Sequence, residues 1–299
     1  MDLTKTLSII SSIYRTNSFF RTPFTRNLVK YVMGFVTVAL EHIYDFKTCV
    51  QDPVPYRLRM ILGLDERETL RLLMAYSTST KSNILDIGAN VGKYSRFFAS
   101  NFPCASIYSF EPNPDAFEYL LENTRNFSSC HPIPIALGRH SCIAKLLIDP
   151  SHSALSSIET TSIPPNPPNR NLAKDVELRH ASEYLALIGV TDCSIIKIDV
   201  EGFEMDVLLG LRELILNTNR ILIIVELNPL SLSAKSVNPL DLFDLLNRYS
   251  LVVYESGKYN SIPAPLCSSS FNHLVTRLDT NYTNLICFKG YDKDELPQA

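Results

Sequence analysis

The sequence predicts an α/β protein built on an open, largely parallel sheet, and three stretches predict it. Asn83-Ile-Leu-Asp-Ile-Gly-Ala-Asn-Val-Gly92 reads as a short apolar strand, a glycine-bearing turn and a helix starting near Lys93, which is how nucleotide-binding α/β sheets open. Ala105 to Glu111 reads as a second strand ending in an acid. Ser194-Ile-Ile-Lys-Ile-Asp-Val-Glu-Gly-Phe-Glu204 reads as a third, with Ile195, Ile196, Ile198 and Val200 as its apolar part and ionisable residues at its carboxyl end. Open α/β sheets bind ligands beyond the carboxyl ends of their strands, so the acids gathered there mark the expected site.

Bulk properties narrow the function. With 299 residues and 45% hydrophobic content, the chain can bury a large core, and one catalytic domain over residues 81–290 is expected, with an extension before it and a tail over 291–299. A net charge of −3 leaves no basic surplus for a phosphate backbone, which disfavours a dedicated nucleic-acid role. The seven cysteines are scattered without a C-x-x-C pair. They read as reduced, mostly buried thiols, and a cytoplasmic protein is expected. The apolar run Tyr31 to Leu40 is shorter than the ~20 residues a spanning helix needs, so it reads as a helix packed on the core. The basic, aromatic segment Tyr14 to Lys30 reads as a solvated arm.

Residues 1–80 read mostly as helix. Leu58, Ile61 and Leu62 lie three and four apart, and Asp65-Glu66-Arg67-Glu68 before Leu70, Leu72 and Leu73 has the acidic first turn of a helix.

In the glycine turn, Gly88 and Gly92 are expected to let a ligand approach the backbone, and Asn90 to accept left-handed dihedrals. Asp86 precedes the turn at the end of its strand. A carboxylate there repels a pyrophosphate and attracts a nucleoside carrying a cationic group, a description that S-adenosylmethionine meets. Lys93 to Asn101 carries Tyr94, Phe97 and Phe98 on one helical face. Glu111 ends the second strand 25 positions after Asp86 and is the expected partner of both ribose hydroxyls, since a carboxylate only accepts hydrogen bonds. Asn113-Pro114 caps a helix whose expected inner stripe is Phe117, Leu120, Leu121 and Thr124.

A strand from Ile133 to Leu137, closing at Gly138, is expected to end beside the adenine. Cys142 to Ile148 is strand-like. Ser151 to Asn171 is rich in Ser, Thr, Asn and Pro and reads as a mobile lid or substrate-side insertion. After the Ser194 to Glu204 stretch, Val207, Leu208, Leu211, Leu214 and Ile215 mark a helix. The strand Ile221 to Val225 then leads into Glu226-Leu-Asn228, a further acid and amide on the same rim.

Five segments together, Asp86-Ile-Gly-Ala-Asn-Val-Gly92, Phe110-Glu-Pro-Asn113, Ala136-Leu-Gly138, Lys197-Ile-Asp-Val-Glu-Gly-Phe-Glu204 and Ile224-Val-Glu226, occur in the order seen in the FkbM-type methyltransferase family, which the chain resembles from about residue 80 to 290. The resemblance implies a class I methyltransferase fold, a Rossmann-like seven-stranded sheet whose last strand, here Tyr282 to Lys289, is antiparallel, with Leu251 to Glu255 before it. It also implies methyl transfer from S-adenosylmethionine to a hydroxyl of a sugar or secondary metabolite. By that match Asp86, Gly88, Ala89, Asn90 and Gly92 hold the methionine end, Glu111 and Pro112 flank the ribose, and Ala136 lies toward the adenine. Lys197, Asp199, Glu201 and Glu204 match the family's motif at this strand, and the resemblance puts Asp199 nearest the transferred methyl.

A hydroxyl acceptor must lose its proton, and the expected base is Asp199 or Glu201, with Lys197 beside them, or equally a histidine, of which His152 and His273 fall in expected rim loops. A divalent cation is a second route. Asp199, Glu226 and Asn228 offer hard oxygen ligands on neighbouring strand ends, an arrangement that resembles the Mg²⁺ site of catechol-type methyltransferases. The expected acceptor is a small molecule or glycan. Two other classes compete with this reading. A dinucleotide-dependent oxidoreductase needs a phosphate-tolerant turn, which Asp86 opposes. A binding protein that retained only the fold has no need of acids at positions 86, 111, 199, 201 and 226.

Overall fold

The computed structural model describes residues 23–62, 66–75, 81–149, 152–159, 173–256, 264–279, 281–292 and 295. The chain divides into two compact units, Met1–Asp65 and Glu66–Ala299. The helix Arg67–Ala75, which the sequence reading assigned to the N-terminal extension, therefore falls in the larger unit.

The first unit contains the helices Pro23–Tyr44 and Val54–Ile61. A buried ion pair joins them, with Arg57 Nη2 2.8 Å from Glu41 Oε1, and Arg57 Nε also donates to Thr48 Oγ1 at 2.7 Å. The run Tyr31 to Leu40 is helical as expected, but among its described side chains only Thr37 and Leu40 are buried. Val32, Phe35 and Val38 are exposed, because a run this uniformly apolar puts hydrophobic groups on every face of a helix. No helix among the described residues is long and apolar enough to cross a membrane.

The larger unit is organised by two sheets. Its strands are β1 Ser82–Ile87, β2 Ala105–Phe110, β3 Cys130–Ile133, β4 Ala136–Gly138, β5 Cys142–Leu147, β6 Ser157–Glu159, β7 Ala173–His180, β8 Ile195–Ile198, β9 Ile221–Leu227, β10 Val252–Glu255 and β11 Thr283–Lys289. Seven of them form the main sheet in the order β10-β11-β9-β8-β1-β2-β3. All pairings from β9 to β3 are parallel, and β11 alone runs antiparallel to both its neighbours. This is the class I methyltransferase fold that the resemblance implied. The central strands β1, β8 and β9 read Ile-Leu, Ile-Ile and Ile-Leu-Ile-Ile-Val because they are covered on both faces. One face packs Ile84, Ile195, Ile224 and Ile286 against Tyr94 and Phe98. The other packs Leu85, Ile87, Ile196, Ile198 and Val225 against Val207, Leu208 and Leu211.

Four strands form a second sheet, β4-β7-β5-β6, that the sequence reading did not anticipate. The expected single strand from Ile133 to Leu137 is in fact two. β3 ends at Ile133, Ile135 N turns back to Ile133 O at 3.0 Å, and Ala136 begins β4, which pairs with β7. Pro134, with no amide hydrogen, sits at the break. The expected loop from Ser151 to Asn171 is also partly structured. Ser153–Leu155 form a 3-10 turn and β6 pairs antiparallel with β5, while residues 160–172 lie outside the described residues.

The helix Pro114–Thr124 starts as expected, with Asn113 Oδ1 accepting from Asp115 N. Its buried face is Ala116, Leu120, Asn123 and Thr124, and Leu121 is exposed. Asn123 is inside because its amide donates to Val91 O at 2.7 Å, a polar anchor that an apolar stripe does not reveal. The thiols also differ from expectation. Cys49, Cys193 and Cys287 are buried, whereas Cys104, Cys142 and Cys267 are exposed.

Candidate active site

Strand register builds the site. Asp86 lies directly opposite Lys197 where β1 pairs with β8. Ile198 lies opposite Val225, so Asp199 and Glu226 emerge level with one another, and Asn284 of β11 lies opposite Glu226. Side chains alternate across a strand. Asp86, Lys197, Glu226 and Asn284 therefore share the face of Ile84, Ile195, Ile224 and Ile286, the one that packs Tyr94.

Asp86 is fully buried. Its Oδ2 accepts from Ser95 Oγ at 2.6 Å, and its Oδ1 has no hydrogen-bond partner among the described residues. Burial pushes its carboxyl up, partly countered by the nearby Lys197 ammonium. Lys197 Nζ donates to Asp199 Oδ2 at 2.8 Å and stands 5.0 Å from the centroid of the Tyr94 ring. Burial alone would lower its pKa, but the carboxylates of Asp199, Asp86 and Glu66 outweigh burial and raise it, so the lysine is a fixed cation.

Gly88, Asn90 and Gly92 all have positive φ, at 78°, 48° and 88°. The reason for the glycines differs from the expected one. A Cβ on Gly88 would sit 1.8 Å from the backbone oxygen of Asp199, and one on Gly92 would sit 2.8 Å from Leu120 Cδ1. Both glycines let parts of this chain approach one another, so the close contact is made by the protein itself. Gly88 N and Ala89 N both donate to Phe110 O at 3.0 Å, which ties the turn to the end of β2.

Glu111 follows β2 and is buried, with Oε2 accepting from Asn90 N and Oε1 from Asn113 N, each at 2.8 Å. One carboxylate thus joins the turn after β1 to the turn after β2. Burial raises its pKa to about 7, against the opposing effect of those two amides. Pro112 is half-buried between Glu111 and Asn113, and Ala136 is buried in β4, outside the main sheet. The start of the expected lid is docked here, since Ser153 Oγ donates to Asn90 Oδ1 at 3.3 Å and Asn113 Nδ2 donates to Ser156 Oγ at 3.2 Å.

Beyond β8 the chain makes a tight turn. Glu204 is fully buried, and its Oε1 accepts from Val200 N and Gly202 N at 3.1 Å each, so this acid holds the turn instead of facing the groove. Glu201 has φ 52°, and its Oε2 accepts from Ser231 Oγ at 3.4 Å. Burial, then the charges of Asp199 and Glu204, push Glu201 up to about 8. Burial and the same group of acids push Glu226 well up too. Asn228, expected as a metal ligand, has its Oδ1 occupied as the cap of the helix Pro229–Ala234, accepting from Ser231 N at 3.2 Å.

Three contributors were not foreseen as part of the site. Glu66 accepts from Lys93 Nζ at 3.0 Å and from Asn284 Nδ2 at 2.8 Å. Burial alone would raise its pKa, but Lys93 and Lys197 pull it down, so it stays ionised. Tyr94 looks like core packing in the sequence, and Asn284 carries no expectation there. The sequence signal for Asn284 is a lone amide in an otherwise apolar strand, whereas Glu66 is indistinguishable from an ordinary first-turn acid.

Residues 86–252 match the family described as Methyltransferase FkbM domain. The chain is 26% identical over 232 residues to hexuronic acid methyltransferase AglP of Haloferax volcanii, spanning 77% of this chain and 82% of that one. It is 28% identical over 147 residues to methyltransferase 1 of Beauveria bassiana, spanning 44% of this chain and 59% of that one. Among solved structures, the METTL16 methyltransferase domain superposes with a TM-score of 0.46 at 11% identity, covering 87% of this chain and 80% of that one.

Proposed function

From the premise that the chain belongs to the FkbM methyltransferase family, which its match over residues 86–252 establishes, we propose that it transfers a methyl group from S-adenosylmethionine to a hydroxyl oxygen of a sugar, with a uronic-acid-containing glycan as the first acceptor class. The observation that carries the cofactor is the row of carboxylates Asp86, Glu111 and Asp199 along the ends of β1, β2 and β8, with Lys197 as the cation set among them. A groove of that sign attracts a sulfonium and an ammonium and repels a pyrophosphate. The acceptor class is supported by the relative from Haloferax volcanii, whose name gives a hexuronic acid as its substrate.

S-adenosylmethionine, when bound, supplies a methyl group on a positively charged sulfur. The chain's task is to hold an acceptor oxygen in line with it and to take the acceptor's proton. Asp86 and the turn Gly88 to Gly92 hold the methionine end. Glu111, already oriented by two amides, has a lone pair left on each oxygen for the ribose hydroxyls. Pro112 and Ala136 line the way to the base. Lys197 fixes Asp199, and Asp199 or Glu201 takes the acceptor's proton, Glu201 doing so in the form ionised above its raised pKa of about 8.

Calorimetry with S-adenosylmethionine, S-adenosylhomocysteine and NAD tests the cofactor. Micromolar binding of the first two and none of NAD is expected, and the reverse refutes the reading. Incubation with labelled cofactor and uronic-acid oligosaccharides should then give a base-stable methyl ether. A base-labile product would mean transfer to a carboxylate oxygen instead.

A further inference from the structure

We propose that Asp199, Glu201 and Glu226 form a binding site for one divalent cation of the magnesium and manganese class at the acceptor side of the groove. The three come from different segments, namely the end of β8, the turn after it and the end of β9. One carboxylate oxygen from each lies within 4.8 Å of the other two. Around an ion that holds its ligands at about 2.1 Å, adjacent oxygens stand about 3.0 Å apart and opposed ones about 4.2 Å, so the three carboxylates draw together as the ion binds. Every donor is a hard oxygen, which selects magnesium, manganese or calcium over zinc and copper.

Acidic clusters are common on protein surfaces, but this one contains a buried atom in need of a partner. Glu226 is only 6% exposed, and its Oε2 has no hydrogen-bond partner among the described residues. A carboxylate oxygen taken out of water without a donor is costly, and a cation removes the cost. Charge balance points the same way. Among the described residues, Lys197 pairs with Asp199, and neither Glu201 nor Glu226 forms an ion pair. One dication would supply the countercharge that these two carboxyls need in order to ionise, releasing their protons as it binds. Asp199 and Glu201 are half-exposed, so one side of the ion would remain open to water or to acceptor oxygens. The ligand set differs from the one read from the sequence, because Asn228 is spent on a helix cap and Glu201 takes its place. The methyl-transfer reading is needed only for the ion's role, to hold and acidify the acceptor hydroxyl; binding of the ion does not depend on it.

The test is titration of the full chain with manganese chloride, followed by the electron paramagnetic resonance signal of free Mn²⁺, with calorimetry for magnesium. One ion per chain is expected, with a dissociation constant below about 1 mM. Glu226→Gln and Glu201→Gln should each weaken it at least tenfold, and Glu118→Gln on the exposed helix surface should leave it unchanged. Glu201 lies on the half-exposed turn, so its variant serves if Glu226→Gln fails to fold. No binding at 5 mM, or equal binding by both site variants, overturns the proposal. A parallel S-adenosylmethionine titration separates the failures. Cofactor binding without manganese sinks only the metal site, and manganese binding without the cofactor sinks only the cofactor reading.

Discussion

A carboxylate removed from water must find donors, a cation or a proton, and the acids around this groove differ in which they have. Glu111 has backbone amides on both oxygens, Glu204 has them on one, Glu66 has Lys93, Asp199 has Lys197, and among the described residues Glu226, like Asp86 and Glu204, has an oxygen with no donor. Two predictions follow at this scale. Removing Glu111 deletes charge-assisted hydrogen bonds worth about 1.5–3 kcal/mol, so Glu111→Ala should weaken S-adenosylmethionine binding by about 10- to 100-fold in calorimetry, with Glu111→Gln intermediate. The second concerns pH. Glu111 and Glu204 titrate near 7 and Glu201 near 8 in the folded protein, against an ordinary value of 4.5. A raised carboxyl pKa means the fold binds protons more tightly than the unfolded chain. Its stabilisation is full below 4.5 and is lost as pH rises through 7 to 8. The melting temperature, without added cofactor or metal, should therefore fall from pH 5.5 to pH 8.5. Glu226→Gln should flatten that fall and raise stability at pH 8.5 by about 1–3 kcal/mol. A melting temperature that climbs across this window would show that the acids are compensated in some other way.

At the scale of elements, the close approach of β1 to the end of β8 is the constraint that shapes the site. The missing Cβ of Gly88 is what lets the Asp199 carbonyl sit there, and that contact sets the height of Asp199 above the sheet. Gly88→Ala combines a left-handed backbone with a hard clash, and should cost more than about 3 kcal/mol, read as a large drop in the chemical-denaturation midpoint. Gly189→Ala is the matched control. Its φ is 81°, but nothing lies within 4 Å of the added carbon, so only the backbone cost of about 1–2 kcal/mol applies. Equal losses in the two variants would mean that the approach of the strands is not what Gly88 serves.

For the whole molecule, the boundary between Asp65 and Glu66 has a consequence. Glu66 and the helix Arg67–Ala75 belong with the sheet, since Glu66 bonds Lys93 and Asn284, and Leu73 is fully buried in its core. A chain beginning at Glu66 should fold cooperatively and bind S-adenosylmethionine, whereas one beginning at Lys81 loses both that acid and that packing. Deletion to residue 81 should lower the melting temperature or abolish soluble expression, and unchanged behaviour would refute the assignment.

Much of this architecture was legible along the chain. The apolar runs of β1, β8 and β9 announce strands covered on both faces, and Asn113-Pro114 announces a helix start, because each depends on residues that are neighbours in sequence. The second sheet carried a signal as well. Val176 and Leu178 alternate with charged residues in β7, a period of two that marks a half-buried strand. β6 carried almost none, since three residues in a Ser- and Pro-rich stretch have no period to read.

Sequence by itself determined which side chains share a face of each strand, so Lys197 and Asp199 had to lie together, as did Glu226 with Ile224. Only the tertiary structure decided that Asp86 stands opposite Lys197, that Glu226 stands level with Asp199, and that Glu66 arrives from before the sheet to hold Lys93 and Asn284. The physical reason is that side-chain alternation is a local property of extended backbone, whereas register between strands is set by packing and pairing among segments far apart in the chain.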